Sequence, residues 1–174
     1  MARSKENAWL FWPVAAGFLV ADIVTKSWAV ASLAPAHTRH AVFGEWMTFT
    51  LLYNPGAAFG LHLGEWSRWI FMALTVGAVI ILTRMYQATS VGDRVRLIAL
   101  GMILGGACGN LIDRVRSGQG VVDFIDVGIG DMRWPTFNVA DIGVSCGAVL
   151  LALVLWREDR AAAQSAASES SSAH

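Results

Sequence analysis

Charge is what this 174-residue chain has least of: Asp, Glu, Lys and Arg make up 15% of it, against 55% apolar residues. A soluble domain carries about 25% charged residues, so the balance points to a polytopic membrane protein of about one domain. Formal net charge is zero and no basic cluster exceeds a few residues, which removes nucleic acid from the expected partners. Cysteine is nearly absent: Cys108 and Cys146 sit in apolar runs of small residues, where thiols act as packing groups and supply no disulfide framework. His37, His40, His62 and His174 are scattered without the spacing of a zinc site, so neither a metal nor another cofactor is expected. No internal repeat is visible, which weakens transporter architectures built on inverted symmetry.

What is present is four apolar segments, about Ala8 to Leu33, Trp69 to Thr83, Leu97 to Ile112 and Ile142 to Trp156. The first resembles a secretory signal, with Arg3 and Lys5 ahead of it, but Asp22 and Lys26 interrupt its apolar run; it reads as a retained helix. The last three are shorter than the roughly 20 residues a span requires, so each must extend into flanks carrying ionisable or amide groups. Trp9, Trp12, Trp28, Trp66, Trp69, Tyr86 and Trp156 lie near segment ends, where amphipathic rings settle at the membrane interface. The expected fold is therefore an all-α membrane protein with four transmembrane helices. Both termini and the 84 to 96 loop are expected on the cytoplasmic side, on a weak excess of Arg and Lys there.

Between helices one and two, Trp46 to Tyr53 is rich in Thr and aromatics and Asn54-Pro55-Gly56 is a turn signal, so a small extracytoplasmic β element is expected within 40 to 62. The small residues that follow, Gly56 to Gly60, suit either close backbone approach by another chain or a flexible loop. Residues 117 to 137 read as a loop with Gly118, Gly120, Gly128 and Gly130 as hinges. The Ala- and Ser-rich stretch 161 to 174 reads as a disordered tail beyond a single domain at 1 to 160.

The scarce charge is unevenly spent. Five of the thirteen acids, Asp113, Asp123, Asp126, Asp131 and Asp141, fall within 29 residues beside membrane segments. Carboxylates in hydrocarbon cost roughly 2.5 to 3.5 kcal/mol each even on mild scales. Asp123 and Asp141 can reach the same membrane face, where two adjacent carboxyls share a proton and one accepts while the other donates. The alternative is two solvated interface acids, Asp141 sitting at a helix N-terminus. Asp126 and Asp131 are expected to be solvated loop charges. Asn110, Asp113 and Arg114 share one helix face, and Arg114 can hold a carboxylate through two parallel donors. Asn138 and Asp141 repeat the three-residue spacing. Such polar groups serve either as a shell around a site or as interhelical glue. Asp22 and Lys26, four apart, taken alone read as a self-neutralising structural pair.

Taken together, Asp22 with Lys26, YNPGAAFG at 53 to 60, GGACGNLIDR at 105 to 114, VVDFID at 121 to 126 and FNVADI at 137 to 142 resemble lipoprotein signal peptidase, or signal peptidase II. The match runs in order over about residues 9 to 156 with no departure at the motif positions. The resemblance implies a bacterial plasma (inner) membrane aspartic endopeptidase that works without a cofactor. Such an enzyme removes signal peptides from prolipoproteins, cutting on the N-terminal side of a diacylglyceryl-modified Cys on the periplasmic face. It implies Asp123 and Asp141 as the catalytic pair, and Asp22, Lys26, Asn54, Gly56, Asn110, Asp113, Arg114, Asn138 and Ala140 as lining or support. It also implies a surface β-cradle, a mobile periplasmic segment within 117 to 137, membrane lipids and lipidated prolipoproteins as partners, and inhibition by globomycin. A monomer is expected. The rival classes are a proton-coupled transporter using the same acids as a relay, and an inert scaffold.

Overall fold

The computed structural model describes residues 2–56 and 64–172. Each expected apolar segment is a helix extended into its polar flanks: α1 (Ala2–Ser32), α2 (Ser67–Ala88), α3 (Arg94–Arg116) and α4 (Val139–Ser172). The candidate spans within them, Glu6–Ser32, Gly64–Ala88, Arg94–Arg116 and Val139–Ser165, are each long and apolar enough to cross a bilayer. Their outer faces carry uncovered apolar bulk, including Trp9, Trp69, Leu74, Ile81 and Val149, as lipid-facing surfaces do.

Helix α3 packs against the other three, and its small residues make that possible. A Cβ at Gly105 would collide with the Ala15 carbonyl of α1, and one at Gly106 with the Ala140 carbonyl of α4. Phe11 and Ala15 from α1, Leu82 from α2, and Leu97, Leu100 and Leu104 from α3 form one buried cluster. At the other end of α1, Ala29 and Leu33 join Leu51, Val122, Phe124 and Ile125 in a second.

That second cluster seats a four-stranded antiparallel sheet: β1 (Arg39–Phe43), β2 (Met47–Asn54), β3 (Val121–Ile129) and β4 (Met132–Arg133), in the order β1-β2-β3-β4. The β element expected after helix one is there, but it is only half of the sheet. The segment 117 to 137, read as a Gly-hinged loop, contributes β3 and β4 instead. The run VVDFIDVGI is rich in β-branched and aromatic residues, and the two Asp that disguise it find partners inside the sheet. Two of the supposed hinges, Gly120 (φ +107°) and Gly130 (φ +57°), occupy left-handed turns that bound β3. Beyond β4, Phe137 continues the pairing: its carbonyl accepts from Phe124 and Ile125 N–H at 3.0 and 2.8 Å.

The other departure is the tail. Residues 161–172 continue α4 rather than dissolving into disorder, because their Ala content carries high helix propensity; Ser165 Oγ donates back to the Ala161 carbonyl at 3.0 Å. The small-residue stretch after Gly56 falls largely at 57–63, outside the described residues.

Candidate active site

The sheet lies where α1 and α3 end and α2 and α4 begin, and the polar groups of all these elements converge there. Lys26 of α1 is the first hub. Its ammonium sits 2.8 Å from Asp22 Oδ2 and 2.8 Å from Asp113 Oδ2 as an ion pair with each, and donates to Asn110 Oδ1 at 2.8 Å. Asp22 fits because Gly109 faces it, and any Cβ there would strike the carboxylate. Asp22 Oδ1 accepts from Ala140 N–H at 2.9 Å, and Asp113 Oδ2 from Val122 N–H at 3.2 Å. One cation thus ties α1 to α3, and its two carboxylates grip the backbone at the start of α4 and of β3. Asp22 Oδ2 is buried with no hydrogen-bond donor of its own, so the Lys26 charge is what compensates it.

Asn138 is the second hub. It caps α4: Asn138 Oδ1 accepts from Asp141 N–H at 2.9 Å while Asp141 Oδ2 accepts from Asn138 N–H at 3.2 Å. This is a reciprocal capping box written with Asn and Asp. The spacing N-x-x-D is therefore dictated by helix-end geometry, and it orients the carboxyl of Asp141 before any chemistry is asked of it. The Asn138 amide reaches outward as well, donating to Asp123 Oδ1 at 2.7 Å and approaching Asn110 Oδ1 at 3.2 Å. Asn110 Nδ2 completes the circuit by donating to Asp141 Oδ1 at 2.9 Å. Asp123 and Asp141 therefore touch the same asparagine.

On the opposite side of Asp123, Asn54 Nδ2 donates to Oδ2 at 3.0 Å. The Asn54 amide is aimed by its own turn, since Oδ1 accepts from Gly56 N–H at 3.0 Å. Arg114 Nη2 in turn donates to the Gly56 carbonyl at 2.9 Å and Nη1 to the Asn110 carbonyl at 3.3 Å. The two-donor carboxylate grip expected of Arg114 is replaced by contacts to backbone carbonyls, because the nearer carboxylates are already claimed by Lys26 and the two amides. Arg114 holds the 54 to 56 turn instead.

Asp123 and Asp141 both line a cleft of about 690 Å3, together with Asn54, Asn110 and Arg114. One wall is apolar, built from Leu52, Trp134, Pro135, Phe137, Ile142 and Val144; Ser145 and Cys146 lie at its helix end. Asp22, Lys26, Asp113, Asn138 and Ala140 stand behind this surface rather than on it. The carboxyl of Asp123 is pushed up from its ordinary value to about 7, first by burial and second by the neighbouring charge of Asp141; the Asn54 and Asn138 amides and Lys26 pull the other way. A carboxyl of this kind carries a proton near neutrality, which an exposed one does not.

Asp126 was expected to be wet and is not. It is 4% exposed, accepting from Thr48 Oγ1 at 2.9 Å and from Arg133 Nε at 2.9 Å, with Thr50 and Arg39 each at 3.5 Å. The partners come from β1, β2 and β4, and no local sequence signal marks Thr48, Thr50 and Arg133 as a set; only the register, Thr48 opposite Asp126, brings them together. Asp131 does stay exposed, in the turn before β4. Among the described residues no group of three His, Cys, Asp or Glu is placed to hold a metal ion.

Comparison with known proteins agrees with the resemblance in the motifs. A family model described as signal peptidase (SPase) II matches residues 14–157. The lipoprotein signal peptidase of Aquifex aeolicus is 39% identical over 151 residues, covering 86% of this chain and 87% of that protein. That of Cellvibrio japonicus is 40% identical over 155 residues, covering 87% and 89%. A bacterial membrane enzyme solved by the in meso method at 2.3 Å superposes with a TM-score of 0.75 at 30% identity, over 84% of this chain and 87% of that one.

Proposed function

Because the chain belongs to the signal peptidase II family, we propose that Asp123 and Asp141 are an aspartic dyad that cleaves prolipoproteins on the N-terminal side of their diacylglyceryl-modified Cys. Family membership itself makes the chain a multi-pass membrane peptidase that removes prolipoprotein signal peptides. The dyad reading is supported above all by one observation: two carboxyls line a single cleft, linked through Asn138, and one of them holds its proton to about pH 7.

In this reading the free enzyme carries one proton on the pair, held by Asp123. Asp141 takes a proton from a water molecule as the water oxygen bonds to the scissile carbonyl carbon, and Asp123 gives its proton to the carbonyl oxygen. The tetrahedral intermediate then collapses: the C–N bond breaks, Asp141 returns its proton to the leaving nitrogen, and Asp123 recovers one from the hydroxyl. The pair ends as it began. Asn110 and Asn138 hold Asp141 for this exchange and Asn54 holds Asp123, while Asp22, Lys26, Asp113 and Ala140 fix the helix ends behind them. Gly56 and Arg114 support the Asn54 turn.

The apolar wall takes the signal peptide sideways from the bilayer while the acyl chains of the substrate stay in lipid. The same reading places residues 1 to 160 as one peptidase unit in the bacterial plasma membrane, with the dyad on the periplasmic side and both termini cytoplasmic. The enzyme acts as a monomer and globomycin occupies the cleft.

A gel-shift cleavage assay on purified full chain and a diacylglyceryl-modified prolipoprotein tests the assignment. Asp141→Asn is expected to lose about 10³-fold or more in turnover while still unfolding cooperatively and binding globomycin. Cleavage by that variant within tenfold of wild type ends the dyad reading.

A further inference from the structure

A second, smaller cleft of about 390 Å3 opens on the sheet, lined by His37 and Arg39 from the start of β1, Thr50 and Leu52 of β2, Asp126 of β3, and Arg133 with the Trp134 to Thr136 segment. It shares Leu52, Trp134, Pro135 and Thr136 with the larger cleft, so the two adjoin along a common wall and together make a trough. The trough has a direction. Its far end is helical, at Val144, Ser145 and Cys146 of α4; the two acids lie between; its near end is sheet, away from every spanning segment.

Electrostatics gives the near end a sign. Asp126 is spoken for, with Arg133 on one oxygen and Thr48 on the other, and Arg133 also donates to the Glu45 and Gly128 carbonyls. That leaves Arg39. Its side chain is 57% exposed, its Nε stands 3.5 Å from Asp126, and among the described residues no other contact holds its two amino groups. The formal sum over Arg39, Arg133 and Asp126 is one positive charge, presented at the rim by the more exposed guanidinium.

We infer that this second cleft is a subsite for the first residues of the mature protein, those just C-terminal to the lipidated Cys, and that Arg39 makes it favour an acidic side chain over a basic one. The inference rests on the proposed cleavage reaction. A signal peptide embedded in lipid must occupy the helical end of the trough, so the chain beyond the scissile bond leaves toward the sheet and passes Arg39. A carboxylate there gains a charge-assisted hydrogen bond from the free amino groups, whereas a Lys side chain meets a like charge.

The test uses the purified full chain and diacylglyceryl-modified prolipoproteins carrying Asp, Ser or Lys at each of the first three positions after the lipidated Cys. At one of those positions wild type is expected to prefer Asp to Lys by about three- to tenfold in kcat/KM, the range of a partly exposed charge pair. The preference should shrink as salt rises from about 0.05 to 0.5 M, because the Debye length shortens. Arg39→Gln should abolish the discrimination and Arg39→Glu should invert it.

Equal rates at all three positions would sink the subsite, as would a preference that persists in Arg39→Gln. A uniform loss on every substrate in the Arg39 variants would assign the guanidinium to lipid headgroups or to the sheet and overturn the inference just as well. If wild type cleaves none of the substrates, it is the cleavage reading that fails, and the two failures are distinguishable.

Discussion

Asp123 and Asp126 stand three residues apart on one strand and are almost equally hidden, at 3% and 4% exposure, yet their carboxyls are driven in opposite directions. Asp123 is pushed up to about 7 by burial and by Asp141. Asp126 suffers burial too, as its largest single influence, but hydrogen bonds from Arg133 and Thr48 and the charges of Arg133 and Arg39 together outweigh it and hold the carboxyl below its ordinary value. Similar exposure hides a difference in depth: Asp123 lies much deeper among protein atoms than Asp126, so depth and partners act together on the two carboxyls. Asp126 has a cation and is a structural ion. Asp123 has two neutral amides, which pull its carboxyl down, and burial with another acid, which push it up further. Around Lys26 one cation serves two acids, Asp22 and Asp113. Buried Asp123 and half-buried Asp141, which line the main cleft, have no ion pair among the described residues.

The comparison can be broken most sharply by making the same change twice. Asp123→Asn is expected to cost about 10³-fold or more in turnover and Asp126→Asn less than about tenfold, measured by gel-shift cleavage in one detergent or nanodisc preparation. Equal losses would mean that the ionic state of the two carboxyls is irrelevant to the chemistry.

Stability should reverse that order. The folded value for Asp123 lies above the unfolded value near 3.8, so wild type loses stability as pH rises from about 4 to 7. Asp123→Asn escapes this loss and should equal or exceed wild type by up to about 2 kcal/mol at pH 8, the difference fading near pH 4. Asp126 has the opposite sign: its contribution is present above about 4 and lost as pH falls through its lowered folded value. Asp126→Asn should therefore cost about 1 to 3 kcal/mol at pH 7, since it leaves Arg133 short of its charged partner. Thermal unfolding of the three proteins at pH 4 and pH 8 reads both effects, and shifts of the same sign in the two variants at pH 8 would contradict the contrast.

The smallest effect concerns the amide that holds Asp123. Asn54 Nδ2 lowers the carboxyl by bonding its charged form, so Asn54→Ala should move the alkaline limb of the kcat/KM profile, expected near 7 in wild type, upward by about half a unit. An alkaline limb that stays put would mean that Asp123 does not set it.

Much of this molecule is legible without coordinates. Four helices follow from four apolar segments, because hydrocarbon admits only helices or closed barrels and continuous apolar runs of this length suit a helix. Asp123 and Asp141 stand out because acids are scarce in the chain and five of the thirteen crowd into the 29 residues that hold them. What misleads is local: VVDFIDVGI looks like a loop because two Asp interrupt it, and Ala161 to Ser172 looks like a tail because it lacks apolar side chains, though Ala needs none to stay helical. A three-residue spacing on a strand says nothing about which acid will meet a cation, and Asp126 finds Arg133 and Thr48 only through sheet register.

The chain by itself thus determined how many helices there are, where they run, and that its few carboxylates are too costly to be incidental. Only the folded arrangement decided which of them meet a cation and which line the cleft without one. Lys26 meets Asn110 across 84 residues of chain, and Asn54 meets Asp123 across 69. Protonation is set by what surrounds a group in space, through desolvation and the charges and donors within a few ångströms, and that surrounding is assembled from segments whose separation along the chain carries no record of it.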